Sequence, residues 1–145
     1  MERVKSRLST LWLFATLNYL YCDVVTLMDP ALLKQFMAGS VGGVSVSQGF
    51  LLGAAALVEI PISMVLLSRV FTYRANRWAN IGAGVTMTAV QLLSLVVKSP
   101  ALYYVFFSVI EIASTSVVVW YAWRWAGDRR VASGQAERLT HAVAR

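Results

Sequence analysis

Charge is what this sequence has least of. Of its 145 residues only 14% are Asp, Glu, Lys or Arg, while 58% are hydrophobic and the mean hydropathy is +0.62. A soluble domain carries about a quarter charged residues, so the composition excludes an ordinary soluble fold and points to a membrane. Cysteine is nearly absent too. The single Cys22 rules out an internal disulfide and any cysteine-based metal site. Histidine occurs once, as His141 in a polar tail, which removes histidine-dependent chemistry from the apolar part of the chain. There is no glycine-rich phosphate loop ending in Lys-Ser/Thr, no Gly-x-Ser-x-Gly elbow and no Glu-x-x-His pair. Neither a metal nor an organic cofactor is expected, and a binding or transport role is favoured over an enzymatic one. The net charge of +6 is split into short clusters between apolar segments, so nucleic acid is not an expected partner.

What the sequence does have is four long apolar segments, Leu8–Met28, Gly49–Phe71, Asn76–Val97 and Ala101–Trp125. Each reaches the roughly 20 residues needed to cross about 30 Å of hydrocarbon as a helix. Backbone groups inside lipid must be satisfied internally, which selects helices over isolated strands. The first segment follows MERVKSR, but it contains Asp23 and lacks a small-residue cleavage site, so it reads as a span rather than a signal peptide. The expected fold class is an all-α, four-helix transmembrane bundle.

The basic residues set its expected orientation. Eleven of the thirteen fall on one side: Arg3, Lys5 and Arg7; Arg69, Arg74 and Arg77; Arg124, Arg129, Arg130, Arg138 and Arg145. Only Lys34 and Lys98 fall on the other. By the positive-inside rule both termini are cytoplasmic, and the protein is multi-pass in the cell membrane. Trp12, Trp78, Trp120, Trp123 and Trp125 are expected near the cytoplasmic interface. Between the first two spans, Asp29 and Pro30 have the character of a helix N-cap and first residue. Leu32, Leu33, Phe36 and Met37 then share one face of a short interfacial helix that Gly39 ends. "GGVSVSQ" reads as a loop in which Ser47 caps the second span, and "KSP" as a tight turn making the last two spans neighbours. Residues 126–145 form a polar tail expected to be disordered.

Three acids lie within the spans, Asp23, Glu59 and Glu111. A charged group at the centre of a bilayer costs about 2.5–3.5 kcal/mol on insertion scales, so each needs a reason. Polar residues recur at helical spacing around them: Thr16, Tyr19, Asp23 and Thr26; Glu59 and Ser63; Asn80, Thr88 and Gln91; Tyr104, Ser108, Glu111 and Thr115. If the stripes face one another, the bundle holds an acidic cavity in its middle and outer half, with the cytoplasmic half mostly apolar apart from Thr16 and Asn80. The candidate ligand-binding residues are Glu59, Glu111, Asp23, Gln91, Tyr19, Ser108 and Thr115. Glu59 and Glu111 are expected to converge, with Pro61 kinking the second span beside Glu59 and freeing the carbonyl of Leu57. Gly49, Gly53, Gly82 and Gly84 are expected at close helix contacts.

The stretches "LWLFATLNYLYCDVVTLMDP", "QGFLLGAAALVEIPISMVLLSR", "YRANRWANI" and "YYVFFSVIEIASTSVVVWYAW" resemble a functionally uncharacterised family of small four-span bacterial membrane proteins. The acid in "TLMDP" (Asp29) and the "EIP" of the second span (Glu59, Pro61) are similar to the four-span superfamily of sterol isomerases and the sigma-2 receptor. That resemblance implies a buried acidic pocket for amphipathic, often cationic, ligands. The leading expectation is a membrane protein binding such a molecule or a lipid. The alternatives are a proton-coupled transporter acting as a homodimer and an accessory subunit whose polar residues serve assembly.

Overall fold

The computed structural model describes residues 2–97 and 101–143, with side chains described for 2–96 and 101–125. Helix α1 (Glu2–Met28) leads into a short α2 (Pro30–Met37), followed by strands β1 (Ser40–Val41) and β2 (Val44–Ser45). Helices α3 (Gln48–Val70), α4 (Tyr73–Val97) and α5 (Leu102–Val143) complete the chain. Four helices are long and apolar enough to cross a membrane, over Glu2–Met28, Gln48–Val70, Tyr73–Val96 and Leu102–Trp125. These agree with the spans read from the sequence, and the chain is an all-α transmembrane bundle. The expected "KSP" turn at 98–100 and the side chains of the expected tail at 126–145 lie outside the described residues.

The helices pack in a ring. α1 lies between α3 and α5, α5 lies between α1 and α4, and α3 meets α4 less extensively. The register follows from spacing. α1 buries Leu8, Trp12, Ala15 and Cys22, and α5 buries Ser108, Glu111, Thr115, Val118, Ala122 and Trp125. Steps of three and four residues keep each line on one face of its helix, toward its partner.

The connection between α1 and α3 is built by local chemistry. Asp29 caps α2 by accepting from the backbone amides of Ala31 and Leu32, with Pro30 opening the helix. Ser47 caps α3 by accepting from the Phe50 amide at 3.2 Å. Between them the expected loop is a small antiparallel hairpin pairing Ser40 with Ser45 and Val41 with Val44. Its two-residue turn, Gly42–Gly43, has positive φ at both positions, the arrangement that matches the twist of paired strands and that glycine tolerates without strain.

Two expectations about packing are corrected. Only one of the four span glycines is at a close contact within the chain. A Cβ on Gly84 would lie 2.6 Å from Val119 Cγ2 and 3.3 Å from the Thr115 carbonyl oxygen, so α4 and α5 approach as closely as they do because Gly84 has none. Gly53 and Gly82 have open space, and Gly49 meets only the Ser47 hydroxyl at an ordinary distance. The second correction concerns α3. Every residue from Gln48 to Glu59 is exposed, and the helix is buried only from Pro61 onward, through Pro61, Met64 and Ser68. The half of α3 next to the hairpin therefore stands clear of the bundle, while the other half is part of it. α3 is helical throughout, Pro61 included.

Gly84→Ala is expected to destabilise the purified protein by about 1–3 kcal/mol, the usual range for overpacking. Gly82→Ala should be neutral or stabilising, since alanine is the better helix former by up to about 1 kcal/mol. Thermal melting of the two variants side by side checks this. Equal loss in both would show that α4 and α5 are not in van der Waals contact at Gly84.

Candidate functional site

The interior has two polar levels. The first lies toward the basic end, where the start of α1, the α3–α4 connection and the middle of α5 carry Lys5, Arg69, Arg74, Arg77 and Arg124. Trp12 is fully buried there and donates from Nε1 to Asn80 Oδ1 at 2.7 Å. Ser68 donates to the same oxygen at 3.2 Å, and Asn80 Nδ2 donates to Asn76 Oδ1 at 2.6 Å and to the Asn76 carbonyl at 2.8 Å. Asn76 in turn donates to the Ser68 carbonyl at 2.5 Å. Ser68, Asn76 and Asn80 are all completely buried. Nothing in this network is exposed, and its members bond one another, so its work is structural: it locks α1, α3 and α4 at one rotation each. The expectation of a mostly apolar interior at this end is overturned. Trp12 is equally displaced from its expected interfacial role, and Trp125, nearly buried, packs edge-on against Tyr73. Trp78, Trp120 and Trp123 do form an aromatic rim, with Arg77 over Trp78 and Trp123 and Arg124 over Trp120.

The second level lies nearer the hairpin, among α1, α4 and α5. Glu111 is 1% exposed, and its neighbours on α5, Ser108 and Thr115, are fully buried. Gln91 of α4 donates to Ser108 Oγ at 2.6 Å, and Ser108 donates to the Tyr104 carbonyl. One turn further, the hydroxyls of Thr88 and Thr115 share a hydrogen bond of 2.7 Å, with the carbonyls of Gly84 and Glu111 as their other partners. α1 closes this level with Tyr19 and Cys22. Two oxygens stand apart from the network. Glu111 Oε1 and Tyr19 Oη are buried with no hydrogen-bond partner among the described residues, and the two side chains lie within electrostatic reach of each other. Asp23 is exposed at the edge of α1 yet still within electrostatic reach of Glu111.

The structure thus brings together six of the seven candidate residues, Glu111, Tyr19, Gln91, Ser108, Thr115 and, at the rim, Asp23. Glu59 is the exception. It is exposed and accepts only from Ser63, one turn along its own helix, at 3.2 Å. At about 100° per residue, Glu59 lies roughly 140–180° around α3 from the buried residues Met64, Pro61 and Ser68. It points away from the bundle, so the expected convergence of Glu59 and Glu111 does not occur. Pro61, the residue expected to make room beside it, faces inward instead.

Between the two levels, Ala15, Met64, Met87 and Val118 are buried and apolar, one from each helix of the ring. Sequence reasoning missed this layer and the network beneath it. The signal was present in "NRWAN", whose two asparagines sit at i and i+4 and so share a face with Gly84, which the close approach of α5 covers.

A four-span helical membrane protein with a buried acid between three helices is the class that fold and site define. The chain belongs to a family of unknown function, DUF6326, which it matches over residues 1–132. No curated protein and no solved structure matches it.

Asn80→Leu should cost about 1–3 kcal/mol for each donor left buried without a partner, here Trp12 Nε1 and the Ser68 hydroxyl. Asn18→Leu should change stability little, because Asn18 bonds only the Phe14 carbonyl of its own helix. Melting curves in the same detergent decide this. A silent Asn80→Leu would remove the network from the account of the fold.

Proposed function

We propose that the protein binds the cationic or hydrogen-bond-donating head of a small amphipathic molecule or lipid at Glu111. The observation that carries this reading is the pair of buried, unpartnered oxygens, Glu111 Oε1 and Tyr19 Oη. Buried polar atoms in native proteins are nearly always paired, and ionisable residues inside membrane segments default to function. An ammonium or hydroxyl donor held between the two oxygens would satisfy both. Asp23 at the rim adds negative charge along the approach from the hairpin end. Gln91, Ser108 and Thr115 bond one another or nearby backbone, and so hold α4 and α5 in place behind the acid.

The sequence resemblance to sterol isomerases and the sigma-2 receptor, carried by Asp29, Glu59 and Pro61, motivates the ligand class alone. Asp29 is engaged as the cap of α2, and Glu59 faces outward. Coupled transport by a homodimer would require a polar route to both ends. The apolar layer of Ala15, Met64, Met87 and Val118 interrupts that route, which favours binding. The positions of the basic residues support a multi-pass membrane protein with both termini in the cytoplasm.

A second reading concerns Glu59 alone. It stands on the outward face of α3, beside a half-helix in which Gly53 has open space and Gly49 meets only the Ser47 hydroxyl of its own cap. An acid facing lipid at an insertion cost of about 2.5–3.5 kcal/mol supports a role in association with another subunit.

A thermal-shift screen of amphipathic amines and lipids should find compounds that stabilise the wild type and lose their effect in Glu111→Gln. Glu59→Gln should keep the response. Proton or cation flux into liposomes that depends on Glu111 would overturn binding in favour of transport. If Glu111→Gln lowers stability and no compound distinguishes it from wild type, the acid is a packing element only. For topology, reporter fusions after Arg74 should read cytoplasmic and one near Gly42 external.

A further inference from the structure

The seam where α1 meets α3 at the basic end holds a shallow open groove lined by Ser9, Thr10, Leu13, Ile62, Leu66 and Arg69, with Val65 in its floor. It is separate from the Glu111 site, on the outside of the bundle. Its two ends differ in chemistry. Leu13, Ile62 and Leu66, all 44–64% exposed, form the part that runs toward the middle of the span. Arg69, Ser9 and Thr10 form the other part, at the depth where α3 ends.

The polar end is pre-arranged. Ser9 donates to the Val65 carbonyl at 2.7 Å, tying α1 to α3, and the same hydroxyl accepts from Arg69 Nε at 3.0 Å. That bond fixes the guanidinium by its stem nitrogen and leaves its two terminal amino groups for something else. Lys5 donates to the Arg69 main-chain carbonyl at 3.2 Å, which ties the start of α1 to the end of α3 and brings a second basic residue to that end of the seam. Its ammonium retains two further protons to donate. No carboxylate among the described residues pairs with either group. Among the described residues the Arg69 guanidinium is therefore held without a counter-charge at the head of an apolar groove on the outside of the bundle, with Lys5 anchored to the backbone of the same residue.

We infer that this seam is a site for an anionic phospholipid, its phosphate held by Arg69, with Lys5 adding positive charge at the same end, and one acyl chain lying along Leu13, Ile62 and Leu66. The planar guanidinium can donate two parallel hydrogen bonds to phosphate oxygens, and each basic group near a membrane surface strengthens anionic-lipid binding about fivefold. Because Ser9 already holds the Arg69 stem, binding costs little side-chain freedom.

The test is native mass spectrometry of the full chain in neutral detergent, counting adducts of phosphatidylglycerol and of phosphatidylcholine with the same acyl chains. Wild type should retain phosphatidylglycerol preferentially. Arg69→Gln should reduce that retention by more than fivefold, while Arg74→Gln, which removes an exposed charge elsewhere at the same end, should reduce it no more than general attraction to a basic surface does, about fivefold. Ile62→Trp, on the lipid-facing surface, should fill the apolar end and reduce retention of both lipids. Equal effects of Arg69→Gln and Arg74→Gln would overturn the site and leave only general attraction to a basic surface. Displacement of phosphatidylglycerol by millimolar inorganic phosphate, with retention unaffected by Ile62→Trp, would overturn the lipid and leave a free-anion site.

Discussion

Asn80 joins three helices through one side chain, accepting from Trp12 of α1 and Ser68 of α3 while donating back along its own α4. In water such bonds would add little, because the unfolded chain bonds solvent equally well. Within hydrocarbon the alternative to pairing is an orphaned amide or indole, and measured interhelical bonds there still contribute roughly 0.6–2 kcal/mol each. Their larger effect is on geometry. Apolar side chains pack acceptably at many rotations, whereas an indole N–H and an amide oxygen meet at one. With α1, α3 and α4 fixed at this level, the line of Ser108, Glu111 and Thr115 on α5 has one face of the ring left to occupy. The buried acid is where it is partly because the asparagine is where it is.

That arrangement separates two jobs that the sequence presents together. At the basic end Trp12, Ser68, Asn76 and Asn80 bond one another and are fully buried. Those around Glu111 are nearly saturated, and the two oxygens left over are the chemically informative ones. The apolar layer between them keeps the levels independent, so a change of ligand or charge at Glu111 has no hydrogen-bonded path to Asn80.

Much of this was legible beforehand. Span number followed from length and hydropathy alone, and the caps at Asp29 and Ser47 followed from side-chain chemistry that acts within three residues. The inward line of Ser108, Glu111 and Thr115, with half-buried Tyr104 above it, was legible because its spacing is regular and α5 has buried residues at every turn from Ser108 to Trp125. Glu59 was misplaced for a definite reason. Periodicity says which residues share a face but not which way the face turns, and α3 has apolar residues all round. A proline normally weakens a helix, which made an inward acid beside it attractive; in the fold Pro61 itself fills the inward position. Nor could the glycines be sorted by sequence. Gly82 and Gly84 lie two residues apart on opposite sides of α4, and only contact with Thr115 and Val119 distinguishes them.

The uneven burial of α3 bears on how the molecule is made. α3 is the most apolar of the four spans and the least buried in the bundle. It can therefore settle in the bilayer on its own, as an independently stable segment. α1 and α4 are the least apolar spans, and they carry the indole, the asparagines and the glutamine that need partners. Since α4 leaves the ribosome after α1 and α3, Asn80 enters a membrane in which both of its hydrogen-bond donors from other helices are already present. Assembly order along the chain thus supplies the partners before the residue that needs them arrives.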